Sequence, residues 1–207
     1  TLLPVLRHLA AYLAPVPPQR RHDRFSVKQR ALVAPGLVNA CKAFSGQFAT
    51  PVAGGPLESW IVENVSRGGF GAVLNEQPGE WLKVGALLAM QPEGGASWLL
   101  AIVRRYHRQG ESEAHIGIET LALQAEPVDV RTRAASTYAA VAGIPALLLR
   151  EGGVAGEVRV LLPFASFDLR ETLQYAQGSK RFQLSPVAIV EQYADYELAR
   201  YRLSEIA

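Results

Sequence analysis

Short apolar segments separated by turn signals extend from Phe25 to about residue 123, and this pattern restricts the fold more than any other feature of the chain. Two of these segments flank a polar stretch and predict a hairpin. Strands this short and this closely spaced predict a closed antiparallel barrel, because closure leaves no strand edge exposed. The segments are residues 31–44, with a break at Pro35 and Gly36, and residues 60–65, 70–74, 81–90, 98–106 and 114–123.

A second set of strand-like segments follows a polar stretch at residues 124–137, which predicts a linker. The chain is therefore predicted to form two small antiparallel β-barrel domains, the first over residues 19–130 and the second over residues 131–207. No clear internal repeat is visible, although both halves follow the same coarse plan. The strand-like segments are residues 144–149, 158–162, 181–184, 187–192 and 196–203, while residues 167–176 fit either a strand or a short helix.

A helical pattern of apolar residues precedes the first barrel. Leucines at positions 2, 3, 6, 9 and 13 recur at helical spacing, and prolines at 15, 17 and 18 end the pattern. We therefore expect a helix and a proline-rich linker over residues 1–18, with the helix packed on the barrel or on an upstream domain. The predicted fold class is mainly all-β. Because the chain begins without Met, we expect it to be part of a larger protein.

The composition limits the classes of function. The 207 residues carry a formal net charge of only +2, which argues against nucleic acid as a partner. Cys41 is the single cysteine, so the chain has no internal disulfide, and we expect this residue to be a small core residue. No apolar run reaches the length of a membrane span, so no membrane insertion is expected. The histidines lack metal-ligand spacing and no catalytic arrangement is visible, so we predict no metal, no cofactor and no enzyme.

An arginine-rich segment lies before the first strand of the barrel. Residues 19–25 have the sequence QRRHDRF, which places Arg20 and Arg24 four residues apart and adds Arg21. Guanidinium groups pair with phosphate oxygens, reach O6 and N7 of guanine, and stack on flat rings. This segment is therefore suited to closing over a guanine nucleotide that carries phosphate.

A second motif ends the apolar strand at residues 60–65. Residues 63–71 have the sequence ENVSRGGFG. The amide of Asn64 offers an acceptor and two donors, which suits the N1/N2 edge of a guanine, and Ser66 adds a small hydroxyl. Gly68 and Gly69 allow unusual backbone angles and the close approach of a ligand.

The two motifs, in this order and with an apolar strand between them, match the patterns RxxxR and [D/N]xSxxG. Over about residues 19–123 the chain resembles the PilZ domain family of cyclic di-GMP receptors. The sequences WLKVG at 81–85 and HIGIE at 115–119 add to the resemblance. Asparagine stands where aspartate is more usual, and residues 45–56 form an extra loop. The ligand-binding residues that follow from the resemblance are Arg20, Arg21, Arg24, Asn64, Ser66, Gly68 and Gly69.

The resemblance implies a cyclic di-GMP receptor in the bacterial cytoplasm. Ligand binding would be coupled to a conformational change and to a protein partner, through the second domain or the region upstream. Two alternatives stay open. One is a ligand-independent adaptor with a PilZ-like barrel, and the less favoured one is a β-barrel that binds single-stranded nucleic acid through arginines and tryptophans.

Three further groups of residues have expected positions. Trp60, Trp81 and Trp98 are expected in the core or at the barrel rim. Tyr193, Tyr196 and Tyr201 are expected to pack the second barrel. Arg104, Arg105 and Arg108 fit either a solvated strand edge, which discourages pairing, or an added anion-binding patch.

Overall fold

Two closed six-stranded antiparallel barrels make up the described part of the chain. The structure is a computed structural model that describes residues 23–48, 57–74, 79–109, 113–132, 143–151 and 154–206. The predicted fold class, mainly all-β with two antiparallel barrels, is confirmed. The helix and linker predicted over residues 1–18 lie outside the described residues, as do Arg20 and Arg21.

The first barrel consists of β1 (Phe25–Pro35), β2 (Glu58–Ser66), β3 (Gly69–Leu74), β4 (Leu87–Pro92), β5 (Leu99–Gln109) and β6 (Glu113–Ala122). Their order around the barrel is β1-β2-β3-β6-β5-β4, with β4 pairing back to β1. Trp60 lies in the inner core, and its ring stacks on that of Trp81 with centroids 5.9 Å apart. Both indole N–H groups donate to the Glu58 carboxylate, at 2.9 and 2.7 Å. These two tryptophans therefore pack the barrel interior, as predicted.

The second barrel consists of β7 (Glu126–Thr132), β8 (Ile144–Leu149), β9 (Glu157–Pro163), β10 (Leu173–Gln177), β11 (Lys180–Gln192) and β12 (Tyr196–Ile206). Its order is β7-β8-β9-β12-β11-β10, with β10 pairing back to β7, so its connectivity is the same as that of the first barrel. The linker predicted over residues 124–137 is wrong where β7 forms. The division into domains near residue 130 stays a prediction.

A short helix, α1 (Gly36–Phe44), leaves the first barrel directly after β1, where the sequence pattern predicted strand structure. Gly36 takes a φ of 79°, which turns the chain out of the sheet. Leu37, Ala40 and Ala43 form the buried face of the helix at a spacing of three residues. Nine residues hold too few turns for the helical period to stand out in the sequence. Within the described residues, no helix is long and apolar enough to span a membrane.

A third apolar core lies between the two barrels and includes α1. It joins residues that point outward from β4 and β5 to residues that point outward from β8, β9 and β12. Alternate residues of the same strands, such as Leu148 and Val160, fill the interior of the second barrel instead. The barrels therefore meet through a continuous apolar contact. Its fully buried members include Ala40, Leu100, Leu147, Leu149 and Leu161.

Tyr193 and Tyr196 close this interface against Gly85 of the first barrel. Their rings stack with centroids 4.8 Å apart, and the Tyr196 hydroxyl donates to the carbonyl oxygen of Gly85 at 2.9 Å. Tyr201 lies in the interior of the second barrel. The expectation that these tyrosines pack the second barrel therefore needs a correction, because Tyr193 and Tyr196 pack between the barrels.

Cys41 lies on α1 and faces the second barrel. Its Sγ is 3.8 Å from the carbonyl oxygen of Ala146, and it packs against the core between the barrels, as expected of a core cysteine. Burial, with a smaller contribution from the negative charge of Asp129, raises the pKa of the Cys41 thiol to about 12.

Replacing Gly85 by alanine should weaken the contact between the barrels. Gly85 has a φ of +91°, and an added Cβ would lie 2.5 Å from the Tyr193 ring. Gly94 is the matched control, because it has a φ of +78° and nothing within 4 Å of an added Cβ. Both substitutions carry a backbone cost of about 1–3 kcal/mol. We expect Gly85→Ala to lower the midpoint of thermal unfolding clearly more than Gly94→Ala, and equal shifts would contradict the tight contact.

The thiol of Cys41 should be unreactive while the chain is folded. With a pKa near 12, its thiolate fraction at pH 8 is lower than that of an unfolded chain by about a thousandfold. Alkylation by iodoacetamide, followed by mass spectrometry, should be slow in buffer and fast in denaturant. Rapid alkylation of the folded chain at pH 8 would mean that the contact between α1 and the second barrel opens readily.

Candidate functional site

The second sequence motif forms the hairpin between β2 and β3. Arg67 and Gly68 make the turn, and Ser66 pairs with Gly69 across it. The Ser66 hydroxyl donates to the carbonyl oxygen of Gly69 at 3.2 Å, and the backbone N–H of Thr120 donates to the carbonyl oxygen of Gly68 at 3.1 Å. The end of the hairpin is therefore tied to β6, and Ser66 is held in place there.

Gly69 is required by the pairing of β3 with β6. Its φ is +155°, and an added Cβ would lie 1.9 Å from the carbonyl oxygen of Ile118. The space that a side chain would need is therefore taken up by the backbone of β6. This geometry gives Gly69 a role in strand pairing, and a ligand contact by Gly69 stays a prediction.

Asn64 lies in a row of residues on the outer surface of the first barrel. The strand register pairs Asn64 with Gly71, Gly71 with Gly117, and Gly117 with Arg105. The neighbours of Gly71 along β3 and of Gly117 along β6 belong to the inner core, so both glycines face outward. The row therefore crosses β2, β3, β6 and β5.

Two β-bulges determine that Asn64 and Arg105 face outward. The register shifts between Val62 and Asn64 in β2, and between Val103 and Arg105 in β5. Val62 and Val103 lie in the inner core, and simple alternation would turn the residues two positions later inward as well. The extra residue at each bulge reverses this, so two polar side chains reach the same outer surface.

Gly71 and Gly117 form the floor of this surface, and we call them the glycine floor. An added Cβ at Gly71 would lie 2.3 Å from Nδ2 of Asn64, and one at Gly117 would lie 3.1 Å from Cβ of Arg105. The Asn64 amide therefore lies over Gly71, and the aliphatic stem of Arg105 lies over Gly117. The surface therefore presents an amide and an arginine stem next to each other, each covering one of the two paired glycines.

Arg24 lies at the edge of the same surface, directly before β1. Ser26 pairs with Asn64, so continuing the register places Arg24 beside Ser66. The Arg24 side chain is exposed to solvent. The structure thus brings five of the predicted site residues to one end of the hairpin, while Arg20 and Arg21 lie outside the described residues. The five are Arg24, Asn64, Ser66, Gly68 and Gly69.

Arg104 connects this surface to the second barrel. Its Nε donates to the carboxylate of Glu119 at 2.5 Å, and Glu119 pairs with Gly69. Its guanidinium also donates to the Tyr193 hydroxyl and lies 3.4 Å from the Glu191 carboxylate. Burial lowers the pKa of Arg104, but the hydrogen bond to Glu119 and the charge of Glu191 together raise it above its ordinary value. The side chain therefore stays charged and bridges the two barrels.

The sequence analysis did not select Gly71, Gly117 or Arg105 as site residues. Gly71 follows Gly69 at the strand spacing of two residues, so the motif itself contained a signal for it. Gly117 and Arg105 become neighbours of the motif through strand order and bulges, which the sequence does not display. The interpretation of these strand arginines as a solvated edge is wrong for Arg104. Its side chain is half-buried between the carboxylates of Glu119 and Glu191.

None of the tryptophans contributes to this surface. Trp60 and Trp81 pack in the interior of the first barrel, and Trp98 packs against the core between the barrels. The expectation that the tryptophans lie in the core or at the barrel rim is therefore confirmed.

The first barrel therefore carries an amide, a hydroxyl and an exposed arginine at one end of its outer surface. Residues 55–127 match the family model described as "Cyclic-di-GMP receptor FimW, middle PilZ domain". The match covers Asn64 and Ser66 and confirms the predicted resemblance to the PilZ family for this part of the chain. Arg24 precedes the matched residues, and the match ends at residue 127, two residues into β7 of the second barrel. Neither the curated proteins nor the solved structures include a significant match to the chain.

The two motif glycines should respond differently to alanine. In Gly69→Ala the added methyl group meets backbone that cannot move, so we expect loss of the β3–β6 pairing and a large drop in thermal stability. In Gly71→Ala the added methyl group meets the flexible amide of Asn64, so we expect a folded protein with this amide displaced. Circular dichroism during heating tests both variants. A Gly69→Ala protein as stable as Gly71→Ala would contradict the register.

Proposed function

We propose that the chain is a cyclic di-GMP receptor that binds its ligand on the outer surface of the first barrel. The observation that carries the proposal is that Asn64 and Ser66, which lie within the match to a receptor family, come together with Arg24, which precedes the match. Cyclic di-GMP joins two guanine bases through two phosphates, so it needs both an amide for a base edge and cations for phosphate.

Asn64 and Ser66 supply the contacts to guanine. The Asn64 amide offers two donors and an acceptor to the N1/N2 edge of the base. The Ser66 hydroxyl donates to Gly69 in the free chain, so its lone pairs remain available to a ligand N–H. Because Gly71 has no side chain, the Asn64 amide can lie close over β3.

Arg24, together with Arg20 and Arg21, supplies the charge that holds phosphate. A hydrogen bond to a charged group contributes about 1.5–3 kcal/mol, which corresponds to one to two decades of affinity. Since Arg24 lies beside Ser66, a phosphate between them would be near the guanine that Asn64 holds.

Binding would bring the arginine segment onto the barrel and so change the surface available to a protein partner. The partner would contact the second barrel or the region upstream of the first. A ligand shifts such an equilibrium by no more than its difference in affinity for the two states. We assign no catalytic step, no cofactor and no metal to the chain, and we place its action in the bacterial cytoplasm.

A groove for single-stranded nucleic acid has less support. Such grooves stack bases on exposed aromatic rings, whereas the tryptophans of this chain lie in cores. The formal net charge of +2 is also small for a protein that follows a phosphate backbone.

Calorimetric titration of cyclic di-GMP tests the proposal. We expect micromolar or tighter binding that weakens ten- to hundredfold in Arg24→Ala and in Asn64→Ala, because each variant loses one charged or multidentate contact. Arg30→Ala is the matched control, since it removes the same charge from the exposed part of β1 at the pairing with Ile61. It should bind like the unmodified chain.

Cyclic di-AMP should bind at least a hundredfold more weakly, because the guanine-specific groups would be left unpaired. If the folded chain gives no heat with cyclic di-GMP, the proposal fails and a ligand-independent adaptor becomes the better explanation. Equal binding of both dinucleotides, with a steep salt dependence, would favour the nucleic-acid alternative.

A further inference from the structure

We propose that the outer side of the second barrel carries a docking surface for an acidic segment of a partner protein. Three arginines on β9 and β12 form this surface, and we call Arg159, Arg200 and Arg202 the arginine face. The inference rests on the proposed function only in that the chain has a protein partner, and it requires no bound cyclic di-GMP.

The strand register brings the three arginines together. Arg200 of β12 pairs with Arg159 of β9, and Arg202 follows Arg200 at the strand spacing of two residues. Ala199 and Tyr201 lie in the interior of the barrel, as do the residues that flank Arg159 along β9. All three arginines therefore face outward, on the same part of the barrel surface.

One carboxylate, that of Glu157, lies among these guanidinium groups. Its Oε2 is 3.4 Å from Nη1 of Arg200, which makes an ion pair without a hydrogen bond. Arg202 pairs with Glu157 in the register, yet it forms no ion pair with Glu157 or with any other residue that the structure describes. Two guanidinium groups are therefore held weakly or not at all by the barrel itself.

Arg159 adds a positive charge that no carboxylate neutralises directly. Its guanidinium donates to the carbonyl oxygen of Glu151 at 2.7 and 3.2 Å, and to that of Leu121 at 3.4 Å. The Glu151 carboxylate accepts from the backbone N–H of Leu123 instead. Like charges directly opposite each other destabilise a sheet, so the pairing of Arg159 with Arg200 has a cost in the free chain. Carboxylates of a partner would remove this repulsion.

The arginine face is accessible and begins where the contact between the barrels ends. The next outward residues of β9 and β12 are paired leucines that pack against the first barrel. On the side of β11, Ser185 pairs with Arg202 and Ala188 pairs with Arg200. These small side chains leave the guanidinium groups uncovered, and Arg202 is exposed to solvent.

The chemistry and spacing of the face suit an extended acidic segment. Guanidinium groups pair bidentately with carboxylates. Alternate residues of an extended chain are about 6.6 Å apart, which is also the spacing of Arg200 and Arg202 along β12. Single-stranded nucleic acid would need aromatic rings on which to stack, and a membrane surface would need large apolar side chains. The three arginines and the small residues beside them supply neither.

The test is fluorescence anisotropy of a labelled peptide of about ten residues in which glutamate alternates with serine, titrated with the full chain at low salt. We expect binding that is absent for the same peptide with glutamine in place of glutamate. Arg202→Gln should weaken binding about fivefold, the upper end for one exposed ion pair. It should leave the midpoint of thermal unfolding unchanged, because Arg202 has no partner to lose among the described residues.

Arg30→Gln is the matched control, because it removes the same charge from an exposed position of β1 on the first barrel. It should bind the glutamate peptide like the unmodified chain. A double variant, Arg200→Gln with Arg202→Gln, should weaken binding more than tenfold. If the double variant loses its fold by circular dichroism, because Glu157 has lost its neighbour, the comparison of Arg202→Gln with Arg30→Gln decides alone.

The inference is overturned if the unmodified chain does not bind the glutamate peptide, or if Arg30→Gln weakens binding as much as Arg202→Gln does. Tighter binding of phosphatidylglycerol vesicles or of an oligothymidylate, lost in Arg202→Gln, would overturn the choice of a protein partner. None of these measurements contains cyclic di-GMP. A chain that fails to bind the dinucleotide would therefore contradict the proposed function while leaving the arginine face testable.

Discussion

The apolar contact between the two barrels is the interaction on which the rest of this structure depends. Leu100 of the first barrel and Leu147, Leu149 and Leu161 of the second are fully buried there, with α1 packed among them. Each such side chain contributes about 1.5–3 kcal/mol when it is removed from water. The contact fixes the outer sides of β4 and β5, and the same β5 carries Arg104 and Arg105. The position of the proposed ligand surface is therefore set partly by the second barrel.

Two barrels of the same connectivity use equivalent surfaces in different ways. The row from Asn64 to Arg105 on the first barrel crosses β2, β3, β6 and β5, and the equivalent strands of the second barrel are β8, β9, β12 and β11. On that surface the second barrel presents Leu147, Leu161 and Leu198, which pack against the first barrel. Within the described residues, one barrel thus has a polar outer surface where the other has an apolar docking surface. The proposed ligand surface therefore has no equivalent on the described part of the second barrel.

Strand positions, the hairpin of β5 and β6, and the burial of Trp60 could be predicted from apolar segments and turn residues. The surroundings of Asn64 could be predicted in part, because its motif resembles a family pattern. The facing of Arg105 could not, since a bulge at the preceding residue reverses the alternation that a sequence pattern relies on. Helix α1 could not be predicted, because nine residues rich in alanine, leucine and valine fit a strand as well as a helix. The packing of this segment between the barrels favours the helix.

The size of the contact between the barrels restricts how a bound ligand could act on the structure. The four fully buried leucines, together with Ile102 and Leu198, represent on the order of 9–18 kcal/mol of apolar burial. A ligand bound with micromolar affinity supplies about 8 kcal/mol in all, and only its difference between two states can shift an equilibrium. Separation of the barrels is therefore too costly a response. A smaller rearrangement is within reach in the contacts that Arg104 makes with Glu119 and Glu191, because these groups are partly exposed and their pairing is weaker.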